Sequence, residues 1–302
     1  MVVTGALGFT GKHVAGLLLE RGKRVKTLTN HPGRPNPFGE RLEIAPLNFA
    51  DPAGLTASLT GAATLINTYW VRFPHGATTF ERAVAHTRTL LKAAREAGVR
   101  RIVHVSITCA SETSPLPYFR GKGVLEKDVA GSGMSYAIVR PTVIFGPGDV
   151  LINNIAWALR RFPFFPIPGR GDYRLQPVFV GDMAELTVQA ALDDRNLTMD
   201  AVGPEIFTFK ELVELIRARV GSRASLVHLP PAAVLSLCGL VGRSVDDVVL
   251  TRDEIEGLMA GLLVSAAPAP GTTRLSDWLR DNAATVGTAY ASELGRHYRV
   301  RR

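Results

Sequence analysis

The chain opens on Val2-Val3 and runs directly into Thr4-Gly5-Ala6-Leu7-Gly8-Phe9-Thr10-Gly11, a GxxGxxG turn ahead of a helix expected to begin near Lys12. Few short sequences restrict a fold so strongly. Glycine at these spacings serves a tight turn, close approach of backbone to an anion, and tight packing of a helix on a strand. The N–H groups at the helix start then face that anion. With 29 glycines in the chain, a triplet alone carries little weight. Its place at the head of a strand-helix series makes it a dinucleotide-binding signal. A usual strand has roughly 5 or 6 residues, so either the first strand is short or the given sequence starts late.

The series that follows alternates apolar or β-branched runs with amphipathic stretches: Lys12 to Glu20, Arg24 to Leu28, Gly54 to Leu59, Thr64 to Ile66, Thr79 to Ala97 and Arg101 to Val105. Repeated βα of this kind predicts a doubly wound parallel sheet with helices on both faces, a Rossmann α/β fold. Thr79 to Ala97 carries Phe80, Val84, Thr87, Leu90, Leu91 and Ala94 at helical spacing, with Gly98 as the stop. After Pro141 the texture changes. Gly146-Pro147-Gly148 and Phe162 to Gly169, with prolines at 163, 166 and 168, predict loops. A strand-helix unit returns at Pro177 to Ala191, and Phe207 to Val220 reads as a helix capped by Thr208 with Glu211 completing a capping box. The expected division is a Rossmann domain over 1–145 completed by 174–193, and a smaller C-terminal substrate-binding region over 146–173 and 194–302.

Composition narrows the classes. The 46% hydrophobic and 21% charged residues describe a globular chain. No apolar run reaches the ~18 residues of a membrane span, and the immediate start of β structure leaves no room for a secretory leader, so a cytoplasmic protein is expected. Cys109 and Cys238 are too few and too far apart for a disulfide framework or a zinc cluster, and no metal is expected. The net charge of +8 would suit nucleic acid, but the basic residues are scattered apart from Arg296, His297, Arg299, Arg301 and Arg302. That scatter points away from nucleic acid and towards attraction of an anionic dinucleotide. Peripheral membrane or complex association stays open.

At the end of the second strand, an acidic residue would take the ribose hydroxyls of NAD and an arginine the 2′-phosphate of NADP. The chain has Thr29-Asn30-His31-Pro32-Gly33-Arg34 there, which favours NADP(H) over NAD(H) through Asn30 and Arg34; both also read as ordinary loop residues. Tyr118-Phe119-Arg120-Gly121-Lys122 sets a phenol and an ammonium one helical turn apart on one face. A nearby cation favours the phenolate, so Tyr118 can exchange a proton with a hydroxyl or carbonyl while hydride moves to or from nicotinamide, and Lys122 can hold the nicotinamide ribose. Ser106 and Thr108, at the end of the strand from Arg101, are each placed to hydrogen-bond the reacting oxygen or simply to end the strand. His104, inside that apolar strand, reads as packed core.

Together, TGALGFTG, Asn67 to Trp70 (NTYW), REAGVRRIVHVS ending at Ser106, YFRGK, and Arg140 to Asp149 (RPTVIFGPGD) resemble the extended and atypical short-chain dehydrogenase/reductase superfamily over roughly the first 190 residues. Within it the chain looks most like the group related to the NADPH-binding accessory subunit of respiratory complex I. The resemblance implies that Gly5, Gly8 and Gly11 bind pyrophosphate with Phe9 and Thr10 alongside. It also implies that Asn48 approaches adenine, that Asn67 and Thr68 lie beside the cofactor, and that Pro141 and Val143 wall the nicotinamide. Tyr118 and Lys122 become the active-site pair. Asp51 and Asp182 read as helix caps. Two departures stand out: Thr108 and Tyr118 are closer together than in sugar epimerases, and Ala83 to Thr89 (AVAHTRT) lacks the family's asparagine-glycine-threonine pattern.

The reading reached is an NAD(P)-dependent oxidoreductase, or an epimerase/dehydratase using internal hydride transfer, acting on a small-molecule substrate with Tyr118 as acid/base. The alternative is a non-catalytic NADP(H)-binding redox sensor or assembly/scaffold protein, stabilised by a ligand that binds only its native state. Substrate contacts are expected from Asn153, Asn154, Trp157 and Arg174, with Arg160-Arg161 as a weaker candidate for an acidic group.

Overall fold

The computed structural model describes residues 1–298; Arg299, Arg301 and Arg302 of the basic tail lie outside the described residues. The chain forms two compact units, Met1–Pro141 with Val180–Ala201, and Thr142–Phe179 with 202–302. The returning segment therefore extends to Ala201 and brings a further strand, which an expected return over 174–193 leaves out.

The first unit is built from β1 (Val2–Thr4), α1 (Phe9–Glu20), β2 (Val25–Thr29), β3 (Leu42–Pro46), α2 (Pro52–Leu59) and β4 (Thr64–Asn67). It continues through α3 (Phe80–Glu96), β5 (Arg101–Val105), α4 (Pro117–Ala130) and β6 (Ser135–Pro141), then helix Val180–Leu192 and strand Leu197–Ala201. The sheet runs β3-β2-β1-β4-β5-β6 and then Leu197–Ala201, every pairing parallel. Strand order reverses between β1 and β4, the switch point at which doubly wound sheets bind ligands. Parallel strands buried on both faces need near-continuous apolar sequence, and Val2, Val3, Leu65, Ile66, Ile102 and Val103 supply it, all at 2% exposure or less.

Local signals explain the long helix. The Thr79 hydroxyl accepts from the Arg82 N–H at 3.1 Å, while Gly98, at φ +76°, takes the left-handed turn that ends α3. Its buried stripe is Phe80, Ala83, Thr87, Leu90, Leu91 and Ala94, with Ala83 in the place expected of Val84. Asp51 caps α2 through the Gly54 N–H. Asp182 lies inside the first turn of its helix.

In the second unit, helix Leu151–Arg161 receives its cap from the buried Asp149 carboxylate, which accepts from Ile152 N at 2.7 Å and Asn153 N at 3.2 Å. The capping box of Thr208 and Glu211 starts helix Phe209–Arg219 as expected. The proline-rich stretch is a correction: Phe164–Pro168 is a strand paired in parallel with Ser225–Leu229. Pro166 and Pro168 are two apart, so their missing N–H groups lie on one side of a two-stranded ribbon, where no ladder bond is lost. Among the described residues no helix is long and apolar enough to cross a membrane.

Candidate functional site

The glycine turn joins β1 to α1 at the switch point. It is held by Gly5 N–H to the Leu28 carbonyl at 2.9 Å, Ala6 N–H to the Thr27 hydroxyl at 3.0 Å, and Gly8 N–H to the Gly5 carbonyl at 2.8 Å. The three glycines differ in what requires them. Gly5 sits at φ +68°, and a Cβ on Gly11 would stand 2.2 Å from the Gly5 carbonyl oxygen. At Gly8, by contrast, a Cβ would meet only that same oxygen, at 3.1 Å. The fold thus demands Gly5 and Gly11, while the bare backbone at Gly8 fits an anion brought close to it. The helix begins at Phe9, three residues before the expected start, because Gly8 is its cap. Phe9, Thr10 and Gly11 therefore form its first turn, whose N–H groups have no preceding helical carbonyl.

Beyond β2, Asn30 is exposed and Arg34 closes a turn through its N–H to the His31 carbonyl at 3.2 Å. No carboxylate stands between Thr29 and Arg34. Asn48 is exposed and its amide oxygen accepts from Ala50 N–H at 3.0 Å, an Asx turn that leaves the side chain at the surface. Next to it Phe49 stacks on His86 at 4.1 Å, and the Tyr69 hydroxyl meets His86 Nδ1 at 2.9 Å. The histidine of the unusual AVAHTRT segment belongs to this aromatic cluster.

Asn67 and Thr68 part company. Thr68 lies against the glycine turn, donating its hydroxyl proton to the Thr4 carbonyl at 2.6 Å. The Asn67 amide is turned fully inside, accepting from the Thr4 hydroxyl at 3.0 Å and from Tyr69 N–H at 3.1 Å. Pro141 ends β6 in the first unit, whereas Val143 packs against the core of the second.

Tyr118 and Lys122 stand on α4 as the spacing requires. Tyr118 is half-buried in an aromatic setting, its ring 5.8 Å from Trp70 and from Phe80 and 5.6 Å from Phe119. Lys122 is buried: its Nζ donates to the Val105 carbonyl at 2.7 Å and lies 4.7 Å from the Trp70 ring centre. Burial lowers its pKa to about 7, against a smaller opposing pull from Glu126. That carboxylate is already engaged, since Arg140 binds both its oxygens. Lys122 is therefore not the standing cation expected from the sequence, because the charged form has lost its water and holds no carboxylate of its own.

Ser106 and Thr108 continue the chain past β5, their N–H groups bonded to the carbonyls of Val139 and Pro141. Both are buried, and the Ser106 Oγ has no hydrogen-bond partner. A buried hydroxyl of this kind costs about 1–3 kcal/mol unless something else completes it, so it is open to a hydrogen bond from a ligand.

Trp70 and the glycines of α4 escaped the sequence reading. A Cβ at Gly121 would stand 2.8 Å from Trp70 Cη2, and one at Gly123 would collide with the Ser111 and Glu112 backbone. Two glycines inside a helix, each costing up to about 1 kcal/mol in propensity, were the signal of such close approach. The expected substrate contacts in the second unit hold the chain together instead. Asn153 binds Ala289 and Gly287, Asn154 binds Ala291, and Arg160 binds the Val286 and Ala283 carbonyls, while Trp157 packs on Tyr290.

An anion-receptive glycine turn at the switch point of a parallel sheet defines a dinucleotide-binding Rossmann protein. Residues 5–148 match the family model described as NAD(P)H-binding. The mitochondrial NADH dehydrogenase [ubiquinone] 1 alpha subcomplex subunit 9 of Arabidopsis thaliana is 28% identical over 239 residues, 76% of this chain. The chain spans 60% of the length of that relative. A ceramide reductase of Caulobacter vibrioides is 27% identical over 80% of this chain and 77% of its own. The triphenylmethane reductase of Citrobacter, solved with NADP(H), shares the fold at TM-score 0.75 and 17% identity, over 93% of this chain and 99% of that one. Residues 5–148 thus carry an NAD(P)H-binding domain, and the similarity of the chain to these proteins supports its resemblance to the extended short-chain dehydrogenase/reductase superfamily.

Proposed function

We propose that the protein is an NADPH-dependent reductase of a carbonyl group on a small organic substrate, with Tyr118 as the proton donor. The observation that carries this is the pairing of Tyr118 with Lys122 on α4 alongside the unpartnered Ser106 hydroxyl. The dihydronicotinamide, when bound, supplies a hydride to the carbonyl carbon. As that bond forms, the Tyr118 hydroxyl gives its proton to the carbonyl oxygen, which Ser106 holds by a hydrogen bond. Lys122, divided between its two forms near neutral pH, stabilises the phenolate when protonated. The aromatic rings around Tyr118 favour a substrate with an apolar body next to its carbonyl. Preference for NADPH rests on the lack of a carboxylate after β2 and on Arg34.

A second reading is a non-catalytic NADP(H)-binding subunit of a larger assembly. It is favoured by the relative that is an NADH dehydrogenase subunit and by the burial of Lys122 against Trp70. Fluorescence and calorimetric titration with NADPH and NADH, followed by a carbonyl screen, separates the two. Turnover that falls at least 100-fold in Tyr118→Phe with unchanged NADPH affinity supports the reductase. Tight NADPH binding without oxidation by any carbonyl favours the subunit, and binding of neither nucleotide overturns both.

A further inference from the structure

One residue of the reacting end remains outside that mechanism. Thr4, Asn67 and His104 form a row across three neighbouring strands, since Asn67 is in register with His104 and Thr4 follows Val3, the partner of Ile66. All three are fully buried and linked side chain to side chain. The Thr4 hydroxyl accepts from Thr68 and Tyr69 N–H and donates to Asn67 Oδ1. Because Oδ1 is the acceptor, the other end of the amide is the donor, and Asn67 Nδ2 donates to His104 Nδ1 at 3.1 Å. The histidine proton is therefore on Nε2, a tautomer assigned by the network. That Nε2 is buried without a hydrogen-bond partner.

What His104 faces follows from the strand. His104 and Ser106 are two residues apart in extended chain and share a face. Lys122 Nζ is bonded to the carbonyl of the residue between them. The Lys122 charge acts on His104, which burial holds neutral, its pKa well below the usual histidine range. An N–H directed at an ammonium sets two donors against each other; directed at a neutral amine it meets a lone pair.

We propose that His104 is a positioning residue for Lys122, offering from the Thr4–Asn67–His104 chain an N–H that the neutral amine accepts and the ammonium rejects. His104 thereby biases Lys122 towards the uncharged form until a proton is taken up beside Tyr118. The other groups around the lysine do not duplicate this role. Glu126 on α4 favours the charged form but is bound by Arg140 of β6, and the Trp70 ring also favours a cation. The same chain begins at Thr4, the residue before Gly5, so the reacting pair is joined through side chains to the foot of the phosphate turn.

The inference rests on the reading of Tyr118 and Lys122 as the reacting pair, yet its test needs no turnover. Protein labelled with 15N-histidine, with the His104 resonances among the seven histidines identified by His104→Gln, is followed by long-range 1H–15N NMR from pH 5.5 to 9. The expected result is an Nε2–H tautomer throughout, with a step in the His104 nitrogen shifts near pH 7 that disappears in Lys122→Met and persists in Tyr118→Phe. An Nδ1–H tautomer, the absence of a step, or a step retained in Lys122→Met overturns the proposal. Should Lys122→Met not fold, Lys122→Gln makes the same comparison. A positive NMR result in a protein that reduces no carbonyl would reject the reductase and leave the His104–Lys122 coupling standing.

Discussion

The two ends of the site are made of different material. At the glycine turn the chemistry is done by backbone: N–H groups at a helix start, a left-handed Gly5, and a Gly8 whose missing side chain leaves room. The proposed reacting end consists instead of side chains whose properties depend on what covers them, with Lys122 altered by burial, Ser106 left without a partner, and His104 given its tautomer by Asn67. A backbone site is robust to its surroundings and easy to recognise. A side-chain site takes its protonation states from neighbours far away in the chain.

The widest separation between the two ends is expected in the dependence on pH. Lys122 has a folded pKa of about 7, below the ~10.4 of an unfolded lysine. Below the folded value it is charged in both states, and the native state bears the full cost of a buried ammonium. Between that value and the unfolded one the unfolded chain binds more protons, so stability rises with pH, by about 5 kcal/mol across the window. Urea midpoints measured from pH 6.5 to 9.5 should climb in the wild type and stay flat in Lys122→Met; parallel curves would break the contrast. Gly8→Asp should be nearly silent in that assay. Its effect is on binding, where the added carboxylate meets the pyrophosphate and NADPH affinity should fall at least 100-fold, roughly 2.7 kcal/mol, by calorimetry. Equal affinity would remove the phosphate assignment.

Gly121→Ala tests the reacting end by packing alone. Its methyl would press on Trp70 Cη2, with an expected cost of about 1–3 kcal/mol and a shift in tryptophan emission; an unchanged spectrum would mean that Trp70 does not rest on α4. The smallest effect belongs to a control at a helix cap. Thr79→Ala removes the cap of α3 and should cost about 1 kcal/mol in thermal unfolding, with NADPH affinity unchanged.

Much of this contrast was legible before any coordinates. Alternating strand and helix signals, the glycine turn, the Thr208 cap and the Tyr118–Lys122 spacing are local, and local preferences act over one or two turns of chain. The failures were of another kind. Asn153 and Asn154 were expected to meet a ligand, but their side chains bind the Ala289 and Ala291 carbonyls more than 120 residues later. The strand at Phe164–Pro168 was hidden because its partner, Ser225–Leu229, lies some 60 residues further on and tolerates the prolines at an edge.

The order of short-range signals determined that this chain makes a Rossmann sheet with a phosphate turn at its head and a phenol and a lysine on a later helix. The tertiary structure alone decided that Lys122 is buried with a lowered pKa, and that His104 is tied through Asn67 to Thr4 at the foot of the glycine turn. The reason is physical: backbone geometry depends on neighbouring residues, whereas desolvation and the direction of a buried hydrogen bond depend on every element that closes around the group.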